Sequence, residues 1–397
     1  MSARGSYNWI EGGVTAPRGF LAAGAGCGIK EEGLDLGLIY SEKAASAAAL
    51  LTTNRVKAAP VVVTGKHLVD GTARAIIANS GSANACTGPA GYDDAMATCS
   101  EVAGRLGIDV SDVAVASTGK IGVRLPLDKI LAGVAWLSEN LRSDGGAEAA
   151  EAILTTDTRK KECALSLDIG GMEVRIGGIA KGAGMIYPHM ATMFAFLTTD
   201  ACIEPGLLRE ALTEAVNVSF NRITVDGDMS TNDTVICLAN GLSGAGRIDA
   251  GGASYGAFAG GLKAVCVRLA KEIVLDGEGA TKFVEVAVRG APSDGEALAA
   301  ARAIANSNLI KTALYGESPD WGRIMAAIGS SPASFEPGDI CVIVGGETVI
   351  EGGMIVSRRK EVLEAGRIDI EVVLGDGEGR ATVWTCDLTP GYVEVNI

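Results

Sequence analysis

Glycine limits what this chain can fold into more than any other feature. Of 397 residues 54 are glycine, spread through the sequence with no low-complexity tract and no fixed-period repeat. Punctuation of this kind cuts the chain into short apolar runs and predicts many strands with helices between them. Strand patterns fall at residues 75–79, 113–117 and 282–288, and at 163–169 and 172–179, which flank a Gly170-Gly171 hairpin signal. Apolar residues recur at three and four, the helical spacing, over 93–106, 126–141, 205–218, 254–274 and 295–304. Hairpins and helices in blocks argue for layered α/β (α+β) packing, not for a repeating βαβ winding. Glycine and charge thicken at 275–281, placing a boundary between a main domain of 1–281 and a smaller C-terminal α/β domain of 282–397.

The bulk numbers narrow the function. With 48% hydrophobic and 21% charged residues the chain is an ordered globular protein. Its 34 basic and 48 acidic side chains give a net charge of -14, and no basic run exists to neutralise a phosphate backbone, so nucleic acid is not an expected partner. An anionic substrate would have to be met by individually placed cations. Nine scattered cysteines, none in a C-x-x-C pair, suit a reducing cytosol. The first residues lack a signal-peptide pattern, and no apolar run approaches the ~20 residues of a membrane span. The expected location is the cytoplasm, with no membrane partner.

Residue inventory then removes most catalytic classes. There are two histidines. His67 ends a strand-like run, Val61 to Leu68, where a surface role outweighs catalysis, and His189 stands isolated in a glycine-rich stretch. No metal site is expected, since paired histidines and clustered cysteines are absent. The acidic run from Asp226 to Asp233 resembles a calcium loop but carries Thr231 and Cys237 where that loop needs Gly and Glu; a solvated turn, or polar support for a site, is the stronger reading. Neither a dinucleotide fingerprint nor a P-loop occurs, so no nucleotide cofactor is implied. What remains is a nucleophile that works without histidine. An N-terminal Thr or Ser does so by using its own α-amine, of pKa ~7.7 to 8, as the base. The segment 181–193 offers flexible glycines, a small Ala191 and then Thr192, though by residue type alone a buried strand threonine is the commoner explanation.

That segment, Lys181-Gly182-Ala183-Gly184-Met185-Ile186-Tyr187-Pro188-His189-Met190-Ala191-Thr192-Met193, closely resembles the cleavage signature of the ornithine acetyltransferase family of arginine biosynthesis. Further blocks agree: Asn79-Ser80-Gly81-Ser82-Ala83-Asn84-Ala85-Cys86-Thr87-Gly88, Ser117-Thr118-Gly119, Thr155-Thr156-Asp157-Thr158 and Asp276-Gly277-Glu278-Gly279-Ala280-Thr281-Lys282. The resemblance implies an α/β/β/α sandwich like that of N-terminal-nucleophile enzymes. It implies self-cleavage between Ala191 and Thr192 into an α fragment (1–191) and a β fragment (from 192), assembled as a heterotetramer of two α and two β. Thr192 becomes the nucleophile, Thr118 and Gly119 the oxyanion hole, and Thr155, Lys181, Thr192, Glu278 and Asn396 the contacts to N-acetylornithine and glutamate. Members of the family continue past the position of Asn396 to a Ser or Thr that touches substrate; this sequence stops at Ile397, which leaves affinity and substrate choice open. No cofactor is implied, and use of acetyl-CoA as a second donor is left open. Two rivals remain: a self-processing aminopeptidase or amidase of the same nucleophile type, and a catalytically inactive amino-acid binding protein.

Overall fold

The structure, a computed structural model, describes residues 7–187 and 193–397. The chain divides into two compact units that are not collinear with the sequence. The larger draws its described residues from Met1–Gly182, His189–Asn221 and Met229–Ile273, and the smaller from Ala183–Pro188, Arg222–Asp228 and Val274–Ile397.

Among the described residues the larger unit has nine hydrogen-bonded strands: β1 (Tyr7–Ile10), β2 (Phe20–Ala25), β3 (Leu36–Leu51), β4 (Thr72–Ser82), β5 (Val113–Lys120), β6 (Lys161–Ile169), β7 (Met172–Lys181), β8 (Phe194–Thr199) and β9 (Thr234–Ala239). They run in the order β1-β6-β7-β8-β9-β3-β4-β5, with β2 also on β3. β6 and β7 meet at Gly170 and Gly171, whose φ values of 64° and 84° are those of the tight hairpin turn that only glycine adopts freely at both positions. β3 is 16 residues long and serves both halves of the sheet. Its first part pairs with β2 and β4, its register shifts between Tyr40 and Ala45, and its last six residues pair with β9.

Alternation along the strands sorts side chains into layers. Phe20, Ile39, Ile76 and Ala114 of the β2–β5 half share one core with Phe194, Phe196, Ile236 and Leu238 of β8 and β9. The opposite faces of β3, β4 and β5 place Leu38, Ile77, Val113 and Val115 against helices α1 (Ala59–His67), α2 (Gly88–Leu106) and α3 (Leu127–Glu139), through Val63, Cys99, Val102, Ile130 and Val134. A fourth helix, α4 (Gly146–Ala152), packs on β2 and β3, and α5 (Pro205–Asn217) on β3. On the far side, Gly261 of α6 (Ala253–Leu275) lies against Leu165, Leu167 and Ile176. The result is the α/β/β/α layering, with each fully buried aliphatic or aromatic side chain contributing ~1.5–3 kcal/mol.

One local expectation is corrected. Residues 61–67 form helix α1, not a strand, despite three consecutive valines. Pro60 sits in the first helical turn, where its missing N–H costs nothing, and the Thr64 hydroxyl ties the helix to β5 through the Val115 carbonyl at 2.6 Å. Tertiary packing of Val61 and Val63 outweighs β-branching. His67 is half-buried, with Nδ1 2.8 Å from the Val113 carbonyl.

The smaller unit has six strands among the described residues: β10 (Phe283–Ala291), β11 (Cys341–Val344), β12 (Glu347–Glu351), β13 (Met354–Ile355), β14 (Arg367–Val373) and β15 (Gly379–Cys386), ordered β13-β12-β11-β14-β10-β15. Helices α7 (Asp294–Ala305) and α8 (Asn308–Tyr315) begin at Ser293 and Ser307, whose side chains accept from the Glu296 and Ile310 N–H groups. With α9 (Gly322–Ser330) they bury Ala297, Ala301, Ile304, Ile310, Leu314 and Ile328 with Val284, Val286, Ile368 and Val383 of the sheet. A last helix, α10 (Pro390–Val395), precedes Asn396. No helix among the described residues is long and apolar enough to cross a membrane.

Candidate active site

The larger unit collects its chemistry at the end of β7. That strand closes on Lys181, whose side chain is only 3% exposed. An ammonium removed from water costs several kcal/mol unless it is paired and hydrogen-bonded. Lys181 Nζ donates to Thr155 Oγ1 at 2.6 Å and to Thr118 Oγ1 at 3.4 Å, with Asp157 Oδ2 at 3.7 Å. Asp157 is wholly enclosed and also accepts from Lys161 Nζ at 2.6 Å and from the Gly182 N–H at 2.7 Å. Burial alone would raise its carboxyl; the Lys181 and Lys161 charges and the Gly182 N–H outweigh burial and hold it down at about 2. Two ammonium groups therefore meet on one ionised carboxylate, and one of them reaches the hydroxyls of two threonines.

Thr118 and Gly119 lie at the end of β5, in parallel register with Ser80 and Gly81 of β4. Gly119 has φ +126°, and a Cβ there would sit 2.4 Å from the Gly81 carbonyl carbon, so only glycine lets the two backbones pass. Asn232 fastens this end of the sheet from the far side, donating from Nδ2 to the Ser117 carbonyl at 2.6 Å and the Ala83 carbonyl at 2.7 Å.

Lys181, Phe194 and Thr234 form one row across β7, β8 and β9. One residue upstream of that row on β8 and β9, the Met193 N–H donates to Asp233 Oδ1 at 3.0 Å. Asp233 is buried, which pushes its carboxyl well above the usual range against the opposing pull of the Met193 N–H and the Lys181 charge. Both ends of the acidic run hold backbone N–H groups. At the other end Asp226, in the smaller unit, accepts from the Met185 and Ile186 N–H groups. Glu278 and Asn396 also belong to the smaller unit and touch each other, Asn396 Nδ2 donating to Glu278 Oε2 at 2.8 Å. The Glu278 N–H donates to the Ala183 carbonyl at 2.9 Å. Ala191, Thr192 and His189 lie outside the described residues.

The structure thus joins Lys181, Thr118 and Thr155 by direct contact, with Gly119 adjoining, and pairs Glu278 with Asn396. Reading the sequence left Asp157, Lys161, Asn232 and Asp233 without roles; Asp157 was visible only as a letter in the Thr155-to-Thr158 block. A wide groove of about 660 Å³ between β3 and α5, lined by Leu51, Arg209 and Asn217 among others, contains none of the candidate residues. No group of His, Cys, Asp and Glu among the described residues could hold a metal ion.

The fold and the site define a layered α/β protein with a buried cationic centre. A match to the ArgJ family runs over residues 21–397. The chain belongs to the ArgJ family. It is 50% identical to the arginine biosynthesis bifunctional protein ArgJ of Symbiobacterium thermophilum over 98% of both chains. The ArgJ of Bacillus licheniformis is 46% identical over 98% of this chain and 97% of its own. A solved ornithine acetyltransferase of Mycobacterium tuberculosis, complexed with ornithine, is 46% identical, covers 46% of this chain and 98% of its own, and superposes with a TM-score of 0.43.

Proposed function

We propose that this chain cleaves itself between Ala191 and Thr192 and then carries acetyl from N-acetylornithine to glutamate on the Thr192 hydroxyl. In the first stage Thr192 Oγ attacks the Ala191 carbonyl carbon, and its proton passes to the Thr192 nitrogen as the C–N bond breaks. Water hydrolyses the resulting ester, leaving the Ala191 carboxylate and a free α-amine on Thr192. In the second stage that amine takes the hydroxyl proton while Oγ attacks the acetyl carbonyl of N-acetylornithine. Ornithine departs with the proton, and the glutamate amine then attacks the acetyl ester, restoring the hydroxyl.

The observation that carries this reading is Lys181, a buried cation held on the hydroxyls of Thr118 and Thr155. In an acidic protein it supplies the charge a substrate carboxylate needs, beside donors at Thr118 and Gly119 for the oxyanion; one such donor is worth ~2.7–4 kcal/mol in the transition state. Glu278, steadied by Asn396, is assigned to a substrate amino group. The reading needs no cofactor. Acetyl-CoA is proposed as donor for a second, N-acetylglutamate-forming activity, in keeping with the word bifunctional in the relatives' names. The two fragments are proposed to assemble as a heterotetramer, two of each, in the cytoplasm.

Intact mass of the purified protein should give two fragments split before Thr192, and Thr192→Ala a single uncut, inactive chain. A full-length wild-type species with full activity would end the proposal. Acetate release that ignores added glutamate would make the enzyme a hydrolase instead.

A further inference from the structure

The loop between β2 and β3 brings a third lysine to the end of the sheet where Thr118 and Gly119 lie. Asp35, fully buried, gathers that loop: its carboxylate accepts from the Cys27 N–H at 2.7 Å, the Ile29 N–H at 2.6 Å and the Lys30 N–H at 3.0 Å. Burial alone would raise this carboxyl; the hydrogen bonds from Cys27, Lys30 and Ile29 outweigh it and hold the group below its ordinary range. The loop is pressed onto β4, since a Cβ on Gly81 would sit 2.9 Å from Ile29 Cγ2 and 3.1 Å from Lys30 Cγ. Gly81 is the residue in register with Gly119. From there the Lys30 side chain reaches the Leu154 carbonyl, to which Nζ donates at 3.1 Å. Leu154 precedes Thr155, whose hydroxyl is on Lys181. The two lysines therefore touch the same two segments, the paired ends of β4 and β5 and residues 154–155.

Lys30 spends one of its three donors on Leu154 and makes no ion pair among the described residues. Half-burial draws its amine below the ordinary lysine value, against the charges of Asp35, Glu151 and Asp157. Asp35 is already committed to three N–H groups, and Asp157 to Lys161 and Lys181. An ammonium partly withdrawn from water and short of a counter-ion is a receptor for an incoming carboxylate. The proposed reaction presents the site with substrates of unequal charge: N-acetylornithine has one carboxylate and a side-chain amine, glutamate two carboxylates. A single cation would leave the second carboxylate of glutamate unmatched in a chain of net charge -14. Resting on the reading of this chain as a ping-pong acetyltransferase, we propose that Lys30 determines acceptor specificity: its ammonium pairs with the side-chain carboxylate of glutamate, while Lys181 keeps the carboxylate that both substrates share.

The test is Lys30→Met in the full chain, with glutamate and its uncharged analogue glutamine as acceptors. In a ping-pong cycle kcat/KM for the donor reports only the half-reaction that releases ornithine, and kcat/KM for the acceptor only the one that consumes the acetyl-enzyme. In Lys30→Met, kcat/KM for glutamate should fall at least ~10-fold and that for N-acetylornithine by no more than about threefold. The wild-type preference for glutamate over glutamine should collapse to within about threefold. A loop that merely props Gly81 and Gly119 would lower both half-reactions alike, since each passes through the same oxyanion, and would leave the preference intact; either result overturns the proposal. A wild type that does not distinguish the two acceptors overturns it as well. Should Lys30→Met fail to fold or to be cut, Lys30→Gln takes the same acceptor comparison, a collapsed preference supporting the proposal and a wild-type one overturning it. If wild-type double-reciprocal lines intersect instead of running parallel, the ping-pong reading has failed. If they run parallel and Lys30→Met keeps its preference, only the assignment of Lys30 falls.

Discussion

Each unit of the molecule buries a lysine to the same degree, 2% exposed for Lys181 and for Lys311, and uses it differently. Lys311 Nζ donates to Thr385 Oγ1 at 3.0 Å and to the Cys386 carbonyl, fastening α8 to the last residues of β15, and it makes no ion pair among the described residues. Lys181 is instead set among hydroxyls beside an ionised Asp157 that also holds Lys161. A lysine on a backbone carbonyl has its donors committed to the fold. One on threonine hydroxyls faces groups that can turn toward a ligand, with a carboxylate behind it to keep it charged. Burial alone does not mark a site; the chemistry around the buried charge does.

Three measurements sharpen or break the contrast. The largest effect is expected at Asp157→Asn, which leaves two buried ammonium groups without their shared carboxylate. It should cost ~3–5 kcal/mol of unfolding free energy in urea titration. Next comes acid titration of the wild type. Asp157 is held at about 2, below its ordinary 3.8, so its contribution is present above pH 4 and is lost as pH falls from about 4 toward 2. That loss amounts to about 2 kcal/mol, and the low-pH slope from this group should vanish in Asp157→Asn. Smallest is Lys311→Met, which exchanges a buried amine for hydrocarbon of similar length. Stability should change by less than ~1.5 kcal/mol and kcat/KM by less than about twofold. If it costs as much as Asp157→Asn, or takes activity with it, the two lysines are not different in kind.

Much of the architecture was legible because periodicity reports which face is buried. The amphipathic runs at 93–106, 205–218 and 254–274 became α2, α5 and α6, and the double-glycine turn became the β6–β7 hairpin. Residues 61–67 misled because three valines suit a strand, while Pro60 and the anchor from Thr64 to Val115 are what hold a helix there. In the site, Lys181, Thr118 and Thr155 could be named from family resemblance, though their contact closes across 63 and 26 residues and no local pattern announces it. Asp157 and Asp233 could not be told from solvated acids by residue type, since what separates them is burial, a property of the whole fold. The smaller unit's segments Ala183–Pro188 and Arg222–Asp228 likewise come from far upstream of the rest of it, with no change in composition to signal their return.

The strand order has a practical corollary. β8 and β9 are hydrogen-bonded to each other, and this pair is wedged between β7 on one side and β3 on the other, both contributed by sequence that precedes Ala191. The proposed break between Ala191 and Thr192 would thus yield two polypeptides stitched along two separate ladders. An affinity tag on either piece should retrieve both in equal amounts, and the pair should melt in a single transition until denaturant opens the sheet itself.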